Sequence, residues 1–218
     1  MENILKKTLN FWKDLSNDEK KEIIETLLII KYKKGEIIYH NKDKCTGVYI
    51  IFSGRARVFM SSANGGEITL FRLYRGDISI LSASCMFNNL DFETNMEFEE
   101  DTEIYVIPKG IMKKISDENP KVKEFVLEAV SEKFSNVMWI FNQYVFSNMA
   151  RRLATSLYEY RNMFNSDTLK ITHNNLAKDL GTAREVVTRL LKQFQIDGII
   201  KISRGEIKIL DLEKLMKL

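Results

Sequence analysis

The sequence predicts an α+β protein in which a small antiparallel barrel or roll is followed by a long helix and then by a helix-turn-helix with a β-hairpin. Short β-rich runs separated by glycine turns fill residues 32–108, and an apolar stripe at helical spacing follows Pro120. Two amphipathic segments joined at Gly181 lie near the C-terminus. A chain of 218 residues can form more than one hydrophobic core. We expect boundaries that give domains 1–117, 118–146 and 147–218.

The N-terminal half has the pattern of regularly spaced short strands. The turns between them are marked by glycines such as Gly35, Gly54 and Gly76, which is typical of a small antiparallel barrel or roll. The predicted strands are Glu36–Tyr39, Val48–Phe52, Ala56–Met60, Ile68–Phe71 and Ile104–Ile107. Before them, Ser16 and Glu19 have the spacing of a capping box, which predicts a helix reaching about Leu28.

The segment from Pro120 to about Tyr144 has the pattern of one long helix. Six of its apolar residues recur in alternating steps of three and four, the spacing of a coiled-coil seam. They are Leu127, Val130, Phe134, Val137, Phe141 and Tyr144. Further apolar residues on this helix can pack on the roll, so we predict that the stripe is a homodimer interface.

The C-terminal region predicts two short helices and a wing. Thr172 can cap a helix over His173–Leu180, and Gly181 leaves room only for a tight turn before the next helix. Thr182 and Glu185 have the capping-box spacing that would start this second helix. The apolar runs 199–202 and 206–209 flank Ser203-Arg204-Gly205, which predicts a β-hairpin.

The second helix has an apolar face and a polar face that can read DNA. Arg184 and Arg189 can each donate two hydrogen bonds to guanine, and Glu185 can accept from cytosine N4 in the major groove. A two-fold dimer would present two such helices to a palindromic site on double-stranded DNA. The predicted DNA-binding residues are Thr172, Thr182, Arg184, Glu185, Thr188 and Arg189.

Charge is distributed unevenly along the chain. From Ser147 onward there are 13 Lys or Arg and 8 Asp or Glu, which gives +5, whereas the remaining residues have 20 against 22 and carry −2. Nucleic acid favours a basic surplus because cationic contacts release counterions from the phosphates. The surplus lies in the region of the predicted helix-turn-helix.

The composition disfavours several other classes of protein. No segment has the roughly 18 consecutive apolar residues of a membrane span, and the N-terminus lacks a signal-peptide core, so we expect a cytoplasmic protein without a membrane partner. Cys45 and Cys85 are too few for a zinc site or iron–sulfur cluster built from cysteines. No catalytic constellation stands out, so we predict neither an enzyme nor a bound cofactor.

In the order of its parts, the chain resembles the CRP/FNR family of bacterial transcription regulators, named after the catabolite activator and fumarate–nitrate regulator proteins. The similarity is most specific in Leu176-Ala177-x-x-Leu180-Gly181-Thr182-x-Arg184-Glu185-x-Val187-x-Arg189-Leu190-Leu191, and the roll matches through Gly35, Gly54, Gly76 and Asp77. It implies a double-stranded β-roll like a cupin jelly roll, a long dimerisation helix and a winged helix-turn-helix. It also implies a homodimer that binds promoter DNA, contacts RNA polymerase and responds to an effector in the roll.

The resemblance implies roles for particular residues. The family's base-reading residues fall on Arg184, Glu185 and Arg189, and its phosphate-contacting threonine falls on Thr172. Thr188 occupies a position at which family members vary among small residues.

The chain departs from the pattern of the members that bind cyclic nucleotides. Leu81 stands where we align the ribose-binding glutamate, and there is no arginine between Arg75 and Arg151 to hold the phosphate. The carboxylates in 91–101 would repel a phosphate, and Val137 and Met138 replace the polar pair that contacts adenine. We therefore expect an effector other than cyclic AMP.

The nature of that effector stays open at this point. It can be an apolar molecule in a pocket, a thiol switch at Cys85, or no ligand at all, because iron–sulfur and haem ligands are also missing. His40 and His173 are read as ordinary surface histidines. The predicted pocket comprises Leu81, Ser82, Cys85, Val137, Met138 and Trp139. An alternative function is that of a regulatory subunit whose roll controls a partner protein.

Overall fold

The computed structural model describes residues 2–40, 47–62, 66–79 and 94–218. The chain forms two compact units. The first consists of Met1–Met60 and Leu70–Met138, and the second of Ser61–Thr69 and Trp139–Leu218.

The first unit begins with two helices and a short 3-10 turn. Helix α1 covers Glu2–Thr8, the 3-10 turn Asn10–Asp14 and helix α2 Asn17–Thr26. The predicted capping box is confirmed, because Ser16 Oγ accepts from the Glu19 amide at 3.2 Å and Glu19 Oε2 accepts from the Ser16 amide at 2.6 Å. The predicted end near Leu28 is wrong by two residues, since Leu27 is already extended.

The strands of the roll form two antiparallel sheets, so the predicted roll is confirmed. One sheet has the order β1-β8-β3-β6 and the other β2-β7-β4-β5. Each predicted run overlaps a strand, and β1, β6 and β7 were not predicted. The bounds are β1 Leu28–Tyr32, β2 Ile37–His40, β3 Gly47–Ser53, β4 Ala56–Ser61, β5 Glu67–Leu73, β6 Ile78–Ser79, β7 Thr94–Phe98 and β8 Thr102–Pro108.

A hydrophobic core joins one sheet to the helices of the first unit. Strands β3 and β8 contribute Val48, Ile50 and Ile107, which are fully buried. Helix α3, over Lys109–Glu118, adds Met112 and Ile115 to the same core. The helices α1 and α2, the 3-10 turn and the two residues that flank this turn add Leu5, Leu9, Phe11, Trp12, Leu15 and Ile23.

Helix α4 covers Pro120–Phe146 and has one packed and one exposed apolar face. Val122 and Val126 are buried, whereas the opposite side exposes large apolar side chains. The exposed residues are Leu127, Phe134, Met138, Trp139, Phe141, Val145 and Phe146.

The exposed seam of α4 differs from the predicted stripe at every second position. Val130, Val137 and Tyr144 are half-buried, so the exposed seam continues through Met138 and Val145 instead. Successive residues of a helix are 100° apart, so a seam that passes through Met138 and Val145 faces a direction rotated by one residue from Val137 and Tyr144. The sequence pattern could not reveal the shift because apolar residues occupy both sets of positions.

The second unit contains a three-stranded sheet and four helices that follow α4. The predicted helix-turn-helix and wing are confirmed. The bounds are α5 Met149–Phe164, β9 Thr168–Leu169, α6 His173–Leu180, α7 Arg184–Ile196, β10 Ile200–Ser203, β11 Glu206–Ile209 and α8 Leu212–Met216. The sheet has the order β10-β11-β9.

The core of the second unit is formed by the inner faces of α5, α6 and α7 and by the wing sheet. Leu153, Leu157, Leu176, Val187 and Leu191 are each fully buried within it. Among the described residues, no helix is both long enough and apolar enough to span a membrane.

Candidate nucleic-acid interface

The first helix of the helix-turn-helix begins and ends as its sequence predicts. Thr172 caps α6, since its Oγ1 accepts from the Asn175 amide at 3.1 Å. Gly181 ends the helix in the left-handed conformation, with φ of 59°. The Thr182 amide then donates to the Ala177 carbonyl at 3.0 Å, which is the six-to-one hydrogen bond of a Schellman motif.

The predicted capping box of the second helix is wrong. Helix α7 begins at Arg184 with Ala183 as its N-cap, and no side chain caps it. The physical reason is that the Thr182 amide is already engaged in closing α6, so Glu185 cannot accept from it. Glu185 is left exposed on the first turn.

Helix α7 separates an apolar face from a polar one. Val187, Leu191 and Phe194 are buried in the core of the second unit. Arg184, Glu185 and Arg189 are exposed, and their side chains make no ion pair within the part of the chain that the structure describes. The donors and the acceptor of these three side chains are therefore available to a ligand.

Two threonines predicted to bind DNA are held by hydrogen bonds within the protein. Thr188 Oγ1 donates to the Arg184 carbonyl at 2.9 Å and lies 2.9 Å from His173 Nδ1. Thr172 Oγ1 donates to Asn175 Oδ1 at 2.7 Å. Thr182 is half-buried in the turn between the two helices.

A groove lies between the start of α6, the start of α7 and the wing. Its volume is about 480 Å³. Thr172, His173 and Arg184 line one side, and the wing residues Ser203 and Glu206 line the other. The groove joins the exposed polar face of α7 to the first turn of α6.

A buried arginine supports the turn at Gly181 from inside the second unit. Arg152 on α5 is only 9% exposed, and its guanidinium donates to the Leu180 carbonyl at 2.5 Å. The guanidinium carbon lies 3.3 Å from the ring centroid of Tyr144, in a cation–π contact. Burial lowers the pKa of Arg152 and raises the pKa of Tyr144 to about 12. The Tyr144 hydroxyl is buried and has no hydrogen-bond partner among the described residues.

Asp179 ties α6 to other parts of the second unit. Its carboxylate accepts from the Thr69 hydroxyl at 2.5 Å and also from the Tyr160 hydroxyl. One residue earlier, Lys178 pairs with Glu67 at 3.5 Å. Glu67 and Thr69, together with Tyr160 on α5, therefore hold the polar side of α6. No motif in the sequence pointed to Asp179 or Arg152.

The carboxylates that we expected to repel a phosphate in the roll are paired with cations. Glu97 accepts from Arg57 at 2.7 Å, and Glu99 pairs with Arg55 at 2.7 Å and Arg72 at 3.0 Å. Arg55, which precedes β4, and Arg57 and Arg72, on β4 and β5, offset the negative charge of these two carboxylates, while the expected repulsion of a phosphate stays a prediction. These arginines are in turn engaged, and Arg57 is only 2% exposed.

Only part of the predicted effector pocket can be located. Leu81, Ser82 and Cys85 lie outside the described residues, as does Cys45. Of the three pocket residues on α4, Val137 is half-buried, whereas Met138 is 45% exposed and Trp139 49% exposed. The pocket therefore stays a prediction.

Comparison with known proteins identifies both halves of the chain. Residues 151–218 match the Crp-like helix-turn-helix domain, and residues 29–119 match the cyclic nucleotide-binding domain. A crystal structure of a transcriptional regulator assigned to the CRP/FNR family, from Eubacterium rectale, is 39% identical. The match covers 95% of this chain and 96% of that one, with a TM-score of 0.90.

Curated relatives include two kinds of regulator. The fumarate and nitrate reduction regulatory protein of Vibrio cholerae is 26% identical over 92% of this chain and 81% of its own length. The cyclic AMP receptor protein of Thermus thermophilus is 21% identical over 82% of each chain. The fold and the exposed face of α7 define a helix-turn-helix DNA-binding protein. The chain belongs to the CRP/FNR family of transcription regulators.

The contacts around Tyr144 predict opposite outcomes for two neighbouring substitutions. Tyr144→Phe removes a buried hydroxyl that lacks a partner, so the thermal midpoint of the full-length protein at pH 7 should stay the same or rise. Arg152→Met keeps much of the volume but leaves the Leu180 carbonyl without its donor, which should cost about 1–3 kcal/mol. Calorimetric unfolding measures both, and a lower midpoint for Tyr144→Phe at pH 7 would contradict the assignment.

The stability that Tyr144 contributes beside Arg152 should depend on pH. Because burial raises the pKa of Tyr144 to about 12, its contribution to stability is complete below the ordinary tyrosine pKa of about 10 and is lost as the pH rises towards 12. The Tyr144→Phe variant should lack this part of the alkaline loss.

Proposed function

We propose that the protein is a homodimeric, sequence-specific transcription regulator that reads a palindromic promoter site and responds to an effector other than cyclic AMP. The observation that carries the proposal is the exposed polar face of α7, on which Arg184, Glu185 and Arg189 have no internal partner among the described residues. The family resemblance extends the proposal to contact with RNA polymerase.

The chemistry of this face suits the major groove. A guanidinium fork donates to guanine O6 and N7, and a carboxylate accepts from cytosine N4, so the face can distinguish base pairs. These side chains form no ion pair within the described residues. They can therefore contact the bases without first breaking such a pair. The basic surplus of the C-terminal region adds an attraction that does not depend on sequence.

The exposed seam of α4 supports a second copy of the chain as its partner. Leu127 and Phe134 are each 65% exposed, and Phe141 is 59% exposed. With Met138 and Val145 these side chains repeat in steps of seven, four, three and four along one face, which is coiled-coil spacing. Burying a leucine or phenylalanine stabilises by about 1.5–3 kcal/mol, so pairing this seam gives a strong driving force for association.

Dimerisation along α4 would bring two copies of the DNA-contacting face of α7 into one molecule. A two-fold axis relates two copies of α7, and half-site centres about 34 Å apart would place both helices on one side of the duplex. A palindromic site follows from this symmetry.

The engaged arginines of the roll argue against cyclic AMP as the effector. Arg55, Arg57 and Arg72 already pair with Glu97 or Glu99, and an added phosphate would compete with these carboxylates. Residues 80–93 contain no lysine, arginine or histidine in their sequence. An apolar molecule near Met138 and Trp139, or a thiol switch at Cys85, remains our proposal for the signal.

The alternative of a regulatory subunit for a partner protein has weaker support. Such a subunit needs neither an exposed Arg-Glu-Arg face nor a wing. Retention on immobilised duplex DNA that weakens with added salt separates the two functions, because only the DNA-binding protein has many phosphate contacts.

Arg189 is expected to read one guanine in each half-site. Arg189→Ala should cost about 1–3 kcal/mol of specific binding and relax the preference at a single base pair, as measured by selection from a random-sequence library. Arg189→Lys is the matched control, because it keeps the charge but loses the bidentate fork. It should relax the same preference while retaining non-specific affinity. Equal weakening on all sequences would assign Arg189 to the phosphate backbone instead.

Phe134 is expected to lie at the centre of the dimer seam. Phe134→Glu would bury two facing carboxylates, which costs several kcal/mol, so light scattering should report a monomer. Phe134→Leu keeps an apolar side chain and should remain a dimer. A dimeric mass for the Phe134→Glu variant would exclude this seam as the interface.

Cyclic AMP is expected not to bind. Arg55, Arg57 and Arg72 of the roll are already paired with carboxylates that its phosphate would have to displace, so calorimetry at physiological nucleotide concentration should record no heat beyond dilution. Micromolar binding would overturn this reading of the roll and leave the DNA-binding proposal intact, since that rests on α7.

A further inference from the structure

His173 lines the groove between the helix-turn-helix and the wing and is half-buried. It is the first residue of α6, and Thr172 and Arg184 line the same groove. Its Nδ1 lies 2.9 Å from Thr188 Oγ1 on α7. The imidazole therefore links the starts of the two helices that form the helix-turn-helix.

The hydrogen bonds around Thr188 determine which nitrogen of His173 carries its proton. Thr188 has one hydroxyl hydrogen, and it is donated to the Arg184 carbonyl at 2.9 Å. With this hydrogen donated, Thr188 Oγ1 accepts in its contact with His173, which favours the tautomer of the neutral ring that is protonated at Nδ1. This leaves Nε2 of the neutral ring with a free lone pair as the site that gains a proton.

The charged groups around the ring keep it neutral in the protein alone. Burial, followed by the positive charge of Arg184 on α7, lowers the pKa of His173. From the wing, Glu206 lines the same groove, and no acidic residue lies in the first turn of α6 itself. A proton added at Nε2 would thus place a new positive charge beside Arg184 in the groove.

An anion in the groove would instead favour the protonated form of His173. The helix start favours negative charge, because its first amides point out of the helix and have no backbone acceptor within it. Arg184 and a protonated His173 would both donate to the same anion, and the repulsion between them would be offset by its charge. Of the groups that DNA presents, the backbone phosphate is the one with this charge.

We propose that His173 is a DNA-contacting residue, which binds a backbone phosphate through a protonated Nε2 and so makes DNA binding take up a proton. The proposal rests on the DNA-binding function of the helix-turn-helix. It predicts that affinity for DNA rises as the pH falls through the histidine range. Thr188 acts here as a positioning residue, since it fixes the ring through Nδ1.

The experiment uses the full-length protein and a mixed-sequence DNA duplex, because a phosphate contact does not require the specific site. Fluorescence anisotropy gives the affinity at pH of about 8 and about 6, at two salt concentrations. The wild type should bind more tightly at the lower pH, by up to roughly tenfold for each protomer engaged if the phosphate raises the pKa of His173 by about one unit, and the full factor is reached only below the pKa of the free protein. The dependence of log affinity on log salt should steepen by about 0.9 for each protonated histidine.

The chain provides a matched control because it has only two histidines, His40 and His173. His173→Gln should lose the pH dependence and the extra salt dependence, whereas His40→Gln should keep both. His173→Arg carries a permanent charge, so it should bind at pH 8 about as tightly as the wild type binds at pH 6.

Three outcomes would overturn the proposal, and each points to a different cause. If the pH dependence survives in His173→Gln, another group takes up the proton. If Glu206→Gln abolishes it while the salt dependence stays constant, the protonated ring pairs with Glu206 rather than with DNA. If no variant binds the duplex at any pH, the DNA-binding function itself is wrong.

Discussion

The left-handed turn at Gly181 is the constraint on which the DNA-facing surface depends. It directs the chain out of α6 and into α7 within three residues, and a side chain at this φ would cost roughly 1–2 kcal/mol. A Cβ there would also lie only 2.9 Å from the Tyr144 hydroxyl. The backbone groups on either side are used as well, with the Thr182 amide closing α6 and the Leu180 carbonyl held by Arg152. The angle between the two helices is thus fixed by main-chain chemistry before any DNA is bound.

One face of helix α4 supports the turn at Gly181, and a different face exposes the apolar seam. Tyr144 faces inward, where its ring meets Arg152 and its hydroxyl lies beside Gly181. Phe141, three residues before Tyr144, and Val145, the residue after it, are exposed. Large apolar side chains in a continuous exposed row are typical of an interaction site rather than of a solvated helix. The chain by itself therefore leaves large apolar side chains exposed close to the residues that support the turn.

The sequence predicted the fold well, because the residues that begin and end its helices and strands act on their immediate neighbours. Gly181 at a helix end, Thr172 and Ser16 at helix starts and the glycine turns of the roll act within a few residues, and each was placed correctly. The failures concern competition between local signals. Thr182 and Glu185 have perfect capping-box spacing, but the Thr182 amide is taken by the preceding helix, so the box cannot form. Likewise, the stripe through Val130, Val137 and Tyr144 and the seam through Met138 and Val145 fit the same period, and only packing on one side distinguishes them.

Contacts between distant parts of the chain were beyond the reach of sequence patterns. Nothing in the strand containing Glu97 indicates that Arg57 lies opposite, although the alternation of polar and apolar residues in 94–98 could have indicated a strand. His173 was read as an ordinary surface residue, since its link to Thr188 spans fifteen positions and depends on the turn between them. Residues whose role is set by the tertiary partner, rather than by spacing, are the ones that the sequence alone left unassigned.

Pairing with carboxylates distinguishes three arginines of the roll, Arg55, Arg57 and Arg72, from the two on α7. The roll and the helix-turn-helix both present arginines near polar surfaces, and charge alone would make either a candidate for phosphate. In the roll, Arg57 is 2% exposed and bonded to Glu97, so an incoming phosphate would have to displace a carboxylate in a setting of low dielectric. On α7, Arg184 and Arg189 are exposed and have no carboxylate to give up among the described residues. Arg57 is therefore a structural cross-link in the first unit, whereas Arg184 and Arg189 are available donors in the second unit, where the helix-turn-helix lies.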